Sequence, residues 1–372
     1  MLRTYKYKLY DSKKLKHIHR TINISGIIYN HCIALHKRYY RLYKKHLNVF
    51  QLQKHLTKLK KKDKYSFWKK VPSQAIQDIT VRIDNGYKKF FDYTKGKTKL
   101  KASPPSFKGV KKYKSYTLKG TVGYKLENNT ISLNGYNYKF WLSRAIKGTI
   151  KTVIIKRDSI GDIYICISLE QKEPKYNIVT GKNAGVDFGM ITFLTLNDNT
   201  EIEAPLYHLK NLTQQKRLNR NLSKKKKGSN NRKKAKRQLA KLHIKTANQR
   251  RDYFHKLSNK LKKNYDNIFI EDLNMKAMQK LWGRKISDLA FSEFINILSY
   301  KTKVIKIDRF YPSSKTCSCC GFVISELSLK IREWQCPACH SHHLRDVNAA
   351  INIHRVGTST LRGETVRLTK VS

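Results

Sequence analysis

Asn183-Ala184-Gly185-Val186-Asp187-Phe188-Gly189 sets a single acid among small and apolar residues near the middle of a 372-residue chain. Continued by the apolar run from Phe193 to Leu196 and the turn at Asn197 to Thr200, it predicts hairpin-linked strands with the acid inside the first. Toward the C-terminus, two long helices are predicted over 211–263, broken at Gly228-Ser229-Asn230-Asn231. A strand follows, ending in Ile268-Phe269-Ile270-Glu271-Asp272, then a helix near 287–301, a strand from Lys303 to Asp308 and a short helix from Arg345. Strands that are first hairpin-linked and then alternate with helices predict a mixed sheet with helices packed on it.

Toward the N-terminus the period changes twice. Leu2 to Tyr10 alternates, with Tyr5, Tyr7 and Leu9 on one side and Lys6 and Lys8 on the other, the mark of a half-buried strand. Ile28, Cys32, Leu35, Tyr39 and Leu42, and then Ile76, Ile79, Ile83, Tyr87 and Phe90, carry the three-four spacing of amphipathic helices. From Lys114 to Gln171 short strands return at Tyr116/Leu118, Ile131/Leu133, Phe140/Leu142, Val153/Ile155 and Ile163 to Leu169. Their spacing predicts a small barrel or sandwich that the first strand joins, with the helices as an insertion and Glu173-Pro174 closing the unit.

Lys and Arg total 79 against 25 Asp and Glu, a formal net charge of +54. A field of that size suits a polyanionic partner rather than an acidic ligand. With 40% hydrophobic residues the chain still has enough apolar surface to bury real cores. No apolar run reaches the roughly 18 residues of a membrane-spanning helix, and Met1 to Lys6 has no apolar signal core. A cytoplasmic protein with no membrane partner is therefore expected.

Seven cysteines are present, and five lie between Cys317 and Cys339, which suits a metal cluster better than a disulfide framework. Cys317-x2-Cys320 and Cys336-x2-Cys339 can each present two thiolates from a tight turn to one tetrahedral Zn²⁺. Four thiolates leave no open position, so this zinc is expected to be structural, with Cys319 left as a spare thiol. Asp187, Glu271 and Asp346 each adjoin apolar sequence in a chain poor in acids; Asp346 shares a helix face with Ala349, Ala350 and Ile353. An unpaired buried carboxylate costs several kcal/mol. Either Lys or Arg neutralises each acid, or the three converge on divalent ions, where hard oxygen ligands select Mg²⁺ or Mn²⁺. Asp272 and Asp308, which also end apolar runs, rank below them as supporting or structural acids.

Four stretches carry a family resemblance: Gly185-Val186-Asp187-Phe188-Gly189, Ile270-Glu271-Asp272-Leu273-Asn274, the run from Pro312 to Gly321, and Arg345-Asp346-Val347-Asn348-Ala349-Ala350. Together and in this order they resemble the TnpB/OrfB proteins of insertion sequences, relatives of the type V CRISPR effectors. The resemblance implies an α+β multidomain chain. An N-terminal β-barrel with a helical insertion precedes an RNase H-like (RuvC) mixed sheet with helices, itself interrupted by a zinc ribbon. The expected boundaries are 1–11 and 96–174 for a wedge-like barrel, 12–95 for the helical recognition insertion, 175–312 and 343–372 for the nuclease domain, and 313–342 for the ribbon. Asp187, Glu271 and Asp346 match the family's catalytic acids, which would hold two Mg²⁺ or Mn²⁺ ions. The implied partners are a guide RNA from the same element and a double-stranded DNA target. Two positions depart from the family pattern: His340 stands where Gly is common, and Leu344 where an acid is common.

Between Lys216 and Lys263 lie 20 Lys or Arg and one acid, Asp252. Lys224, Lys225, Lys226, Lys227, Arg232, Lys233, Lys234 and Arg237 are the expected nucleic-acid contacts there, and Lys315 beside the cysteines is another. Tyr39, Tyr40, Tyr43, Tyr65, Phe67 and Trp68 interleave with basic residues, some as core and the rest as stacking surfaces. The expected function is RNA-guided, metal-dependent DNA cleavage by a transposon-encoded endonuclease. The alternative is a non-cleaving DNA- or RNA-binding accessory factor or regulator of transposition.

Overall fold

In the computed structural model, residues 2–120, 122–172, 180–328 and 330–363 are described. The chain divides into two units, 1–173 and 174–372, and the predicted closing residues Glu173-Pro174 lie outside the described residues. The architecture is α+β, with several sheets and helices.

The first unit runs β1 (Leu2–Lys8), α1 (Leu15–Tyr43), α2 (Val49–Lys60), α3 (Ser73–Thr94), β2 (Ser115–Lys119), β3 (Lys125–Glu127), β4 (Thr130–Leu133), β5 (Tyr136–Lys139), β6 (Thr149–Arg157) and β7 (Ile163–Glu170). β1, β7, β6 and β2 form one sheet in that order, and β3, β4 and β5 form a second; Leu9 and Phe140 make a single bridge. Tyr7 and Leu9 are buried while Lys6 and Lys8 are exposed, as the alternation requires. One continuous core joins these strands to Ile22, Ile28 and Ile33 of α1, Leu52 and Leu56 of α2, and Ile79 and Ile83 of α3. The apolar stripe of α1 runs out before Leu42, which is 62% exposed because the helix continues past the surface it packs on. Leu142 likewise lies beyond β5, in exposed chain rather than in a strand.

The second unit runs β8 (Asn183–Asp187), β9 (Thr192–Leu196), β10 (Glu201–Glu203), α4 (Tyr207–Lys210), α5 (Leu212–Ser223), α6 (Asn230–Asn264), β11 (Asn267–Glu271), α7 (Met275–Leu289), α8 (Phe291–Ser299), β12 (Lys303–Ile307), β13 (Glu333–Gln335), β14 (His342–Leu344) and α9 (Arg345–Arg362). Its main sheet has the order β10-β9-β8-β11-β12: the first three strands are antiparallel, and β8, β11 and β12 are parallel. Period two divides its faces. Ala184, Val186, Ile268 and Ile270 join Phe254 of α6 and Phe291 and Phe294 of α8, while Phe269 packs with Ile353 and Val356 of α9.

Two helical expectations need correction. The segment near 287–301 is not one helix: Ala290 takes a left-handed φ of 48° between α7 and α8. Asp288, buried at that junction, accepts the backbone N–H groups of His208 and Leu209 at 3.0 and 3.1 Å, which ties the end of α7 to the start of α4. The helix from Arg345 is not short either, running 18 residues to the left-handed stop at Gly363.

Candidate active site and cysteine cluster

Parallel pairing sets the first two acids side by side. Ala184 lies opposite Ile268 and Val186 opposite Ile270, so Asp187 and Glu271 end adjacent strands at the same edge of the sheet. The third acid arrives on α9, which lies hard against the sheet. A Cβ on Gly185 would stand 2.2 Å from the Ala350 carbonyl oxygen, and one on Gly357 would stand 2.1 Å from the Phe269 ring. Asp346 occupies the first turn of α9, one turn before Ala350.

The three carboxylates share one field. Burial first, then the charges of Glu271 and Asp346, push the Asp187 carboxyl up to about 8; the Phe188 backbone and Arg345 oppose the rise. Burial also raises Glu271, against a hydrogen bond donated by the buried Ser313 hydroxyl. Asp346 faces a cation as well, the Arg332 guanidinium at 3.3 Å. Among the described residues, sets of three or more donors whose atoms all lie within 4.8 Å of one another occur in the cysteine cluster and not at the carboxylates. Asp272 is taken up by Lys306 at 2.8 Å and by Arg309, whose hydrogen bonds hold its carboxyl below the usual range. Asp308 accepts the Phe310 N–H at 2.7 Å and shapes a turn.

Cys317, Cys320, Cys336 and Cys339 bring their sulfurs together, with Cys317–Cys339 and Cys320–Cys336 both at 3.6 Å. Four thiolates at about 2.3 Å from a tetrahedral zinc would stand roughly 3.8 Å apart, so the donor set fits a metal ion. The two knuckles repeat one geometry. Gly321 N–H donates to the Cys317 carbonyl at 3.0 Å and His340 N–H to the Cys336 carbonyl at 2.9 Å, and both residues have positive φ, 81° and 57°. His340 therefore sits in a conformation that glycine adopts freely. A second possible donor set, Cys317, Cys319 and His343, overlaps the first, with His343 Nε2 at 3.0 Å from Cys317 Sγ.

Two asparagines that sequence reasoning did not single out join these centres. Asn348, buried in α9, donates to the Thr316 carbonyl at 2.8 Å and accepts the Ser318 N–H at 2.9 Å. One turn later Asn352 donates to the carbonyls of Ser313 and Thr316 at 2.9 and 2.6 Å. The helix that carries Asp346 thus also fixes the loop that brings Ser313 to Glu271 and begins the first knuckle. Ser313 and Arg332 were missed as carboxylate partners, since nothing in their local sequence announces a tertiary acid. Asn348 and Ser313 do lie inside stretches that carry the family resemblance.

The expected nucleic-acid residues divide by environment. Lys224, Lys225, Lys226 and Lys227, between α5 and α6, are exposed, as are Lys233, Lys234 and Arg237 on α6. Arg232 instead donates to the carbonyls of Leu222 and Lys225, both at 2.8 Å, closing the C-terminal end of α5. Lys315 donates to the Ser325 carbonyl at 2.7 Å. In the first unit Trp68 is buried and Tyr39, Tyr65 and Phe67 pack on the core, whereas Tyr40 and Tyr43 are 59% and 60% exposed.

The OrfB_IS605 family, described as a probable transposase, matches residues 164–281, and the Cas12f1-like TNB domain matches residues 291–353. A Streptomyces pristinaespiralis protein named "Putative RNA-guided DNA endonuclease" is 28% identical over 367 residues, covering 95% of this chain and 89% of its own length. The Escherichia coli "Putative RNA-guided DNA endonuclease InsQ" is 29% identical over 366 residues, covering 91% of this chain and 88% of its own. The fold is similar to that of Cas12f1 in its cryo-EM complex with sgRNA and target DNA, with a TM-score of 0.55 and 15% identity over 92% of this chain and 83% of that one.

Proposed function

The chain belongs to the TnpB/OrfB family, and from that membership we propose that it is an RNA-guided DNA endonuclease whose cutting site is built from Asp187, Glu271 and Asp346. The observation that carries this reading is the placement of Asp187 and Glu271 at the ends of adjacent parallel strands with Asp346 in the first turn of the helix packed on them; burial first, and then the charges of Glu271 and Asp346, raise the Asp187 carboxyl. Such mutual repulsion is a standing cost that cations relieve. The mixed sheet order, with two acids on adjacent parallel strands and the third on a helix lying across them, supports an RNase H-like, RuvC-type centre. The sheets of the first unit support a wedge-like nucleic-acid-binding domain with α1 to α3 as its recognition insertion.

Three carboxylates supply the hard oxygen ligands that suit Mg²⁺ or Mn²⁺, and the family resemblance implies two such ions. When bound, such ions would activate water and stabilise the leaving oxygen of a phosphodiester. The chain's own groups do the positioning. Ser313 holds one Glu271 oxygen, α9 presents Asp346, and Arg332 balances Asp346 until phosphate and cations compete for both. The four cysteines would hold one structural zinc, beside the Ser313 loop that Asn348 and Asn352 fix to α9. The exposed lysines between α5 and α6 meet nucleic acid backbone, the guide comes from the element that encodes the protein, and the cytoplasmic protein acts on double-stranded cellular DNA. Among the described residues no helix is long and apolar enough to cross a membrane.

The non-cleaving alternative has one observation in its favour, the Arg332–Asp346 ion pair, which would neutralise that acid permanently in a pure binding protein. Cleavage separates the readings. RNA that co-purifies with the protein is sequenced and matched DNA is offered with Mg²⁺. The endonuclease reading expects cutting that Asp187→Asn abolishes while RNA stays bound; intact DNA with wild-type protein and bound RNA would support the binder.

A further inference from the structure

Beside Glu271, and opening at the same sheet edge, is a cavity of about 380 Å³ that the cleavage chemistry leaves unused. Its floor comes from one face of α8. Phe291, Phe294, Ile297 and Leu298 turn into the core, while Ser292, Ile295 and Asn296 turn into the cavity at helical spacing. The link from β11 to α7 adds Leu273, Asn274 and Met275. Aliphatic walls with a few amide and hydroxyl groups suit a flat heteroaromatic ring better than a charged or purely polar ligand. Lys306 and Arg309 line it too and share the carboxylate of Asp272, which matches only one of their two charges; the other lining acid is Glu271. The next residue, Phe310, is 87% exposed, and its turn is pinned by the Asp308 carboxylate. A solvent-facing aromatic ring one residue from a cationic lining residue of an apolar slot suits single-stranded nucleic-acid binding.

We propose that this cavity is a nucleobase subsite, taking one unpaired base of the DNA strand whose adjacent phosphate lies at the carboxylates. The inference rests on the endonuclease reading, and it deepens that reading by assigning this cavity to a base of the cut strand. A paired base has its faces covered by stacking and cannot enter the slot. Asn274, Asn296 and Ser292 offer both donors and acceptors, so any base is accepted with modest preference.

The test does not depend on cutting. A single-stranded deoxyoligonucleotide carrying 5-iododeoxyuridine is irradiated with full-length protein in Ca²⁺, and the linked peptides are mapped. Wild-type protein should crosslink within the segments holding Met275 or Phe310. Ser292→Trp, which fills the slot from an exposed helix position, should lower that yield at least tenfold, and Asn296→Ala severalfold. Crosslinks confined to the lysine-rich helices, an unchanged yield with Ser292→Trp, or equal capture of duplex DNA or of the matching RNA would overturn the proposal. A cavity crosslink without Mg²⁺-dependent cleavage would instead retain the subsite and remove the endonuclease.

Discussion

Gly185 shows how much of the site rests on single atoms. Its missing side chain lets α9 approach β8 until the Ala350 carbonyl lies where a methyl group would go, and that approach brings Asp346 to Asp187. Gly185→Ala should destabilise the second unit by about 2 kcal/mol, as overpacking does. It should also weaken divalent-ion binding, read by denaturant unfolding and metal titration; normal stability with normal metal affinity would contradict the packing argument. His340 presents the opposite case, a side chain where the backbone favours none. His340→Gly should stabilise the knuckle by about 1 kcal/mol, seen as a higher unfolding midpoint of zinc-loaded protein. The acids were legible in the sequence because carboxylates are scarce in so basic a chain. Ser313, Arg332 and Asn352 were not, because a hydroxyl, guanidinium or amide gives no periodic signal and acquires meaning only from what folds against it.

At the scale of elements, α9 has two tasks: it presents Asp346 and it binds the cysteine loop through Asn348 and Asn352. Asn348→Ala leaves the Ser318 N–H without its partner and the Thr316 carbonyl with Asn352 alone, and should cost about 1–2 kcal/mol. Zinc release to a chelator should quicken severalfold; unchanged release would separate the cluster from the helix. In the first unit, burial pushes His36 down to about 4, helped by His46 and opposed by Asp84, and burial lowers His31 and His55 too. An unfolded histidine takes its proton near 6.5. As pH falls below that value the unfolded chain therefore binds protons first, and stability of this unit is lost progressively toward pH 4. His36→Leu should flatten the fall in melting temperature between pH 6.5 and 4.5; an unchanged slope would assign it to other groups. Helices with long stripes were legible in the sequence. The break at Ala290 was not, because it depends on Asp288 capping α4, some 80 residues away along the chain. The start of α2 could have been read, since Asn48 and Gln51 form a capping box whose spacing is visible in the sequence.

For the whole molecule, the charge of +54 sets the terms of every encounter. Neutralising Lys224, Lys225, Lys226 and Lys227 together with Gln should lower the salt slope of single-stranded RNA binding by about 3, at roughly 0.7 for each phosphate that goes without its lysine. Arg232→Gln should instead destabilise the α5–α6 connection, since its guanidinium is held by backbone carbonyls. An unchanged slope in the quadruple variant would mean that those lysines only solvate a helix end. The mixed sheet could be foreseen from the order of apolar runs and helical stretches. Which strands would be neighbours could not, because β8 pairs with β11 across about 80 residues of chain.

The central claim is that the three carboxylates bind divalent cations, and Mn²⁺ titration followed by electron paramagnetic resonance measures this directly on zinc-loaded protein. Wild type should bind two Mn²⁺ ions, with affinity falling at least tenfold in Asp187→Asn and in Glu271→Gln. Equal Mn²⁺ binding by wild type and both variants would contradict the account.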